Sequence, residues 1–113
     1  MNPINKVHSI QSEEHFDDIL KKALLYDKIV FIKFTAPWCV PCKKVEPYYQ
    51  KIAEHCNSCI FISIDIDKHK SLKNRFNIQS VPTFIVFRNN TFTELMRGAD
   101  PTKLYNEIKK QII

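Results

Sequence analysis

Ile29-Val30-Phe31-Ile32-Lys33-Phe34-Thr35-Ala36-Pro37-Trp38-Cys39-Val40-Pro41-Cys42 is the stretch that decides this fold. Its first six residues are nearly continuous apolar sequence, the pattern of a strand covered on both faces. Thr35 to Trp38 make a tight connection, and a helix begins near Cys39. A pair of cysteines three apart thus opens a helix that follows a buried strand. Residues so spaced share one helix face, with Cβ atoms ~5–6 Å apart, so their sulfurs join or separate with little backbone movement. The free N–H groups of a first helical turn carry partial positive charge, stabilise a thiolate and lower its pKa below the free value of ~8.5. Cys39, at the outer end, is the expected nucleophile. Cys42, one turn in and on the apolar face, is the expected resolving cysteine. Pro41 removes one N–H and fixes φ between them.

Outward from this stretch the chain alternates its periodicity. Residues 7–10 read as a short strand. Ser12 caps the helix after it, with Glu13, Glu14, Asp17 and Asp18 near its positive end and Phe16, Ile19, Leu20, Ala23 and Leu24 at helical spacing. The helix behind the cysteines has an apolar face of Cys42, Val45, Tyr49, Ile52, Ala53 and Cys56, with Pro47 inside it as a kink. Residues 60–66 form a strand and residues 69–76 a short helix. Residues 83–87 and 91–96 are strands joined at Asn89-Asn90, a pair that tolerates the positive φ of a two-residue turn. Gly98 ends that hairpin. Asp100-Pro101 opens a last helix with Leu104, Tyr105, Ile108 and Ile112 on its inner stripe. The order β-α-β-α-β-α-β-β-α predicts an α/β fold. It has a central mixed sheet, parallel where helices intervene and antiparallel at the hairpin, with helices on its faces.

A chain of 113 residues is expected to form one domain, residues 1–113, and to bury a core without disulfide staples. No apolar run approaches the ~18 residues of a membrane span, and Met1-Asn2-Pro3-Ile4-Asn5-Lys6 lacks a signal peptide's apolar core. The expected location is the cytoplasm, or an organelle if a presequence is missing. The net charge is +5, but the lysines are dispersed and mark no nucleic-acid or membrane surface.

Beyond these readings, Phe34-Thr35-Ala36-Pro37-Trp38-Cys39-Val40-Pro41-Cys42-Lys43 resembles the active-site signature of the thioredoxin family. Pro47 falls where that family kinks its helix, Val81-Pro82-Thr83 resembles its cis-proline segment and Gly98 its late glycine. The resemblance runs over essentially the whole chain. It implies the thioredoxin fold and a monomeric protein-disulfide reductase that needs no cofactor. It also implies disulfide-containing protein substrates, with recharging by a thioredoxin reductase or a glutathione-linked reductant. Pro82 should be cis and face the cysteines, and the Val81 backbone should pair with an extended substrate segment. Trp38, Val40, Pro41, Val81, Pro82 and Gly98 would frame the substrate groove. The rival reading is a binding subunit of the same fold whose redox turnover is incidental.

Two positions depart from the family pattern. Val40 stands where glycine is usual, and the β-branched side chain stiffens the loop. Lys33 stands six residues before Cys39, where the family has a buried aspartate that moves the resolving cysteine's proton. Either the Lys33 amine acts beneath Cys42 as a proton acceptor or thiolate stabiliser, or it snorkels to water without a role.

A second pair, Cys56 and Cys59, completes a zinc-like count of four cysteines, but Cys42 and Cys56 span a predicted helix of ~21 Å. No metal site is expected, and a Cys56–Cys59 disulfide is an open alternative to simple packing. Asp65 and Asp67 read as a solvated pair near a strand end rather than an acid–base dyad.

Overall fold

The computed structural model describes residues 6–113. Residues 1–5, read above for a leader's apolar core, lie outside the described residues. The elements follow the expected order. They are β1 (Val7–Ser9), α1 (Glu13–Leu25), β2 (Ile29–Thr35), α2 (Val40–Glu54), β3 (Cys59–Asp65), α3 (Lys70–Arg75), β4 (Thr83–Arg88), β5 (Thr91–Arg97) and α4 (Pro101–Ile112). The sheet order is β1-β3-β2-β4-β5. β1 and β2 run parallel to β3, whereas β2–β4 and β4–β5 are antiparallel.

The period-2 alternation of β2 explains its apolar run. Val30, Ile32 and Phe34 join a core cluster with Phe16, Leu20, Ile62, Ile64 and Leu72, under α1 and α3. Phe31 faces the other way, into a cluster with Val45, Tyr49, Phe61, Phe84, Leu104 and Ile108, under α2 and α4. Both faces are covered, so no position from Val30 to Phe34 is free to be polar without a partner. Lys33 falls in register with Phe31, on the α2 side. It is paired across the sheet with Ser63 and Phe84.

Local signals set the helix starts. Ser12 Oγ accepts the His15 N–H at 3.0 Å, and the Asp100 carboxylate accepts the N–H groups of Thr102 and Lys103 at 3.1 Å each. Such caps stabilise a helix by ~1 kcal/mol. Asn89 and Asn90 take φ of 52° and 60°, the mirror-image turn that matches the twist of β4 and β5. The hairpin also carries a register shift between Phe84 and Ile85, a bulge with no sequence signal. At the α2 side of the sheet, Tyr49 Oη lies 3.0 Å from the carbonyl oxygens of both Phe31 and Ile62. Its single hydroxyl proton is shared between β2 and β3, and burial pushes its pKa well up.

Candidate active site

β2 ends at Thr35, and the chain turns through Ala36-Pro37-Trp38 to present Cys39 as the N-cap of α2. Cys39 has extended backbone, φ −87° and ψ 105°. Its Sγ lies 3.2 Å from the Cys42 backbone nitrogen, where a side-chain cap normally sits. The first turn of α2 holds no acidic residue, and Pro41 stands within it. A negative charge on Cys39 Sγ would therefore meet an N–H donor and the positive helix end, with no acidic side chain in that turn to oppose it.

Cys39 and Cys42 are joined as a disulfide, with Cα atoms 5.3 Å apart. The sulfur of Cys39 is not the open tip that the sequence suggests. Cys39 is 3% exposed and Cys42 2% exposed. Neighbouring segments close over the helix end. Cys39 Sγ stands 3.6 Å from the Val81 carbonyl oxygen, and the Val81–Pro82 peptide is cis, as the resemblance implies. The Pro82 carbonyl in turn accepts the Gly98 N–H at 2.9 Å. Gly98 has φ +100°, which only glycine adopts without strain. Thus Cys39, Val81, Pro82 and Gly98 are brought together from α2, the segment before β4 and the end of β5.

Trp38 and Val40 flank the disulfide and stay in water, 64% and 72% exposed. The indole Nε1 of Trp38 donates to Asp67 Oδ2 at 3.0 Å. Asp65 is used differently: its Oδ1 accepts the Asp67 N–H at 2.9 Å and shapes the turn after β3. The two aspartates therefore divide their tasks, one holding the loop and the other the indole. Sequence reading missed Asp67 as a site residue. The available signal was its place just beyond a strand parallel to β2, at the same sheet edge as Trp38.

Lys33 is 0% exposed, so it does not snorkel to water. Its Nζ forms an ion pair with Glu46 of α2 and lies 5.2 Å from the centroid of the Tyr49 ring. Apart from that ion pair, Nζ has no hydrogen-bond partner among the described residues. Burial pushes its pKa from 10.5 down to about 8. The Glu46 carboxylate acts in the opposite sense, favouring the charged amine. Glu46 lies four residues after Cys42, on the same helix face. The pair therefore sits one turn behind the resolving cysteine. Sequence reading missed Glu46 too. A lone cation on a covered strand requires a counter-charge, and Glu46 is the one acid in the first three turns of the covering helix.

The second cysteine pair is at the other end of α2. Cys56 follows the helix C-cap His55, and Cys59 opens β3. Fifteen residues of helix set the two pairs apart by ~22 Å.

Comparison with known proteins agrees with the geometry. The sequence profile of the thioredoxin family matches residues 6–110. The chain is 31% identical over 104 residues to thioredoxin 1 of Plasmodium falciparum, covering 92% of this chain and 96% of that one. It is 31% identical over 99 residues to a putative thioredoxin H10 of Arabidopsis thaliana, covering 88% of this chain and 64% of the relative. Among solved structures, a poplar wild-type thioredoxin h superposes with a TM-score of 0.90 at 33% identity, covering 95% and 96% of the two chains.

Proposed function

This chain belongs to the thioredoxin family and is a thiol–disulfide oxidoreductase, and from that premise we propose that Cys39 is the nucleophile and Cys42 the resolving residue. The observation that carries the assignment is the position of Cys39 as N-cap of α2, its sulfur 3.2 Å from the Cys42 nitrogen. The reduced Cys39 thiolate attacks one sulfur of a substrate disulfide. A mixed disulfide forms, and the other substrate sulfur leaves as a thiolate that takes a proton from water. Cys42 then loses its proton and attacks Cys39 Sγ. The second substrate sulfur leaves, and the Cys39–Cys42 bond closes.

Trp38, Val40, Pro41, Val81, Pro82 and Gly98 frame the groove that receives the substrate. An extended segment of the partner pairs with the Val81 backbone as an added strand. Because Cys39 lies low between these residues, the partner must bring its disulfide into the groove rather than offer it to an open tip. Lys33 modulates the second step. Its ammonium, held by Glu46 one turn behind Cys42, favours the Cys42 thiolate. Pro41 places the dithiol with the reducing members of the family. The protein acts as one domain and as a monomer, in the cytoplasm. A thioredoxin reductase or a glutathione-linked reductant recharges it.

Insulin reduction with dithiothreitol tests the reading. The wild type should precipitate insulin well ahead of dithiothreitol alone, and Cys39→Ser should abolish that gain. A wild-type rate equal to that of dithiothreitol would contradict catalysis and favour a binding subunit.

A further inference from the structure

Cys56 and Cys59 are absorbed neither by the reduction cycle nor by packing alone. Both are free and half-buried. They flank a turn whose central residues are Asn57 and Ser58. The first and fourth residues of a β-turn hold their Cα atoms within ~7 Å, and a disulfide spans ~4.4–6.8 Å. The side chains converge as well as the backbone. Ser58 Oγ lies 3.7 Å from Cys56 Sγ and 3.8 Å from Cys59 Sγ.

We propose that Cys56 and Cys59 form a second redox dithiol, which closes reversibly to a disulfide by exchange with a small acidic disulfide of the glutathione class.

The two sulfurs are not equivalent. Burial pushes the Cys59 thiol up to about 12, and its hydrogen bond and charge interaction with Cys56 act in the same direction. Cys59 therefore holds its proton the more firmly in the free dithiol, and Cys56, the one of the two that lines a groove, is the attacking sulfur. Cys56 also has access. It lines a groove of about 410 Å³ between the end of α2 and α4, with His55, Ser58, Tyr105, Ile108 and Lys109. Lys109 in the groove and Lys28, whose charge reaches Cys59, favour an anionic reagent.

The exchange balances. The Cys56 thiolate attacks one sulfur of the small disulfide, forming a mixed disulfide and releasing one small thiol. Cys59 gives up its proton to water and attacks Cys56 Sγ. The second small thiol is released and takes up a proton, and the Cys56–Cys59 bond closes. Two protein thiols are oxidised and one small disulfide is reduced to two thiols. The ~22 Å of helix between the pairs excludes direct exchange with Cys39 or Cys42 of the same chain.

The test uses Cys39→Ser/Cys42→Ser, so that failure of the first dithiol's assignment does not bear on it. The reduced variant is incubated with excess glutathione disulfide, alkylated with iodoacetamide and weighed intact. The expected product has lost two hydrogens, carries no glutathione and has no alkylated cysteine. Dithiothreitol restores two alkylatable thiols. Two thiols still alkylated, a persistent glutathione adduct or a disulfide-linked dimer would overturn the proposal. Wild-type protein treated the same way keeps the test independent of the variant's folding. All four thiols should be consumed, with Cys56 linked to Cys59 in a peptide map. Consumption of Cys39 and Cys42 alone would overturn it.

Discussion

Glu46 of α2 forms an ion pair with Lys33 of β2, a lysine with no exposed surface. A buried ammonium costs more than one counter-ion returns when that counter-ion remains half in water, as Glu46 does. Lys33→Met should therefore raise stability at pH 7 by ~1–3 kcal/mol, since replacement of buried charge by apolar volume is often favourable. The gain should depend on pH. The unfolded chain holds the lysine proton up to 10.5, whereas the folded chain releases it near 8. Between those values the unfolded state binds more protons, so wild-type stability rises with pH relative to Lys33→Met. Urea unfolding of both proteins at pH 7 and pH 10 measures this. A gap that widens toward pH 10 would be the wrong sign.

The same residue should leave a kinetic signature. Without the ammonium one turn behind it, Cys42 should ionise at higher pH, which lowers its thiolate fraction near neutrality. Single-turnover resolution of a Cys39 mixed disulfide, followed from pH 6 to 9, should shift to higher pH in Lys33→Met. An unchanged profile removes Lys33 from the mechanism.

Asp67 holds the exposed Trp38 indole by one hydrogen bond of 3.0 Å. Asp67→Ala should free the ring and weaken the groove wall. The worth of one such bond is ~0.5–1.5 kcal/mol, so kcat/KM for insulin should fall about 3- to 10-fold, chiefly through KM. Tryptophan fluorescence anisotropy should drop in the same variant. Full activity with a mobile indole would show that Trp38 does not shape the groove.

Gly98→Ala tests backbone strain in isolation. Apart from Gly98 and its two chain neighbours, no atom of the described residues lies within 4 Å of the Cβ position, and φ is +100°. The expected loss of ~1–3 kcal/mol is therefore conformational rather than steric. Denaturant midpoints of the two proteins provide the comparison, and equal midpoints would contradict the reading.

Element order and sheet pattern were legible in the sequence because each local signal agreed with the global fold. The apolar run of β2, the Ser12 and Asp100 caps and the Asn89-Asn90 turn each report one period or one φ requirement. Cys39 and Cys42 were legible because spacing along a helix fixes their geometry. Glu46 and Asp67 were not, because their roles arise where separate elements meet. Neither the pairing of Lys33 across to α2 nor the reach of Asp67 to Trp38 has a fixed sequence separation. The low exposure of Cys39 was hidden for the same reason, since Val81 approaches it only after β4 docks beside β2.

Alkylation of the reduced protein by iodoacetamide, resolved by cysteine and followed across pH, tests the central assignment most directly. Cys39 should react ahead of Cys42, with half-maximal rate at least about one unit below the ~8.5 of a free thiol. A Cys39 profile centred at or above that value, or Cys42 reacting first, would contradict the helix-capped thiolate on which the proposed cycle depends.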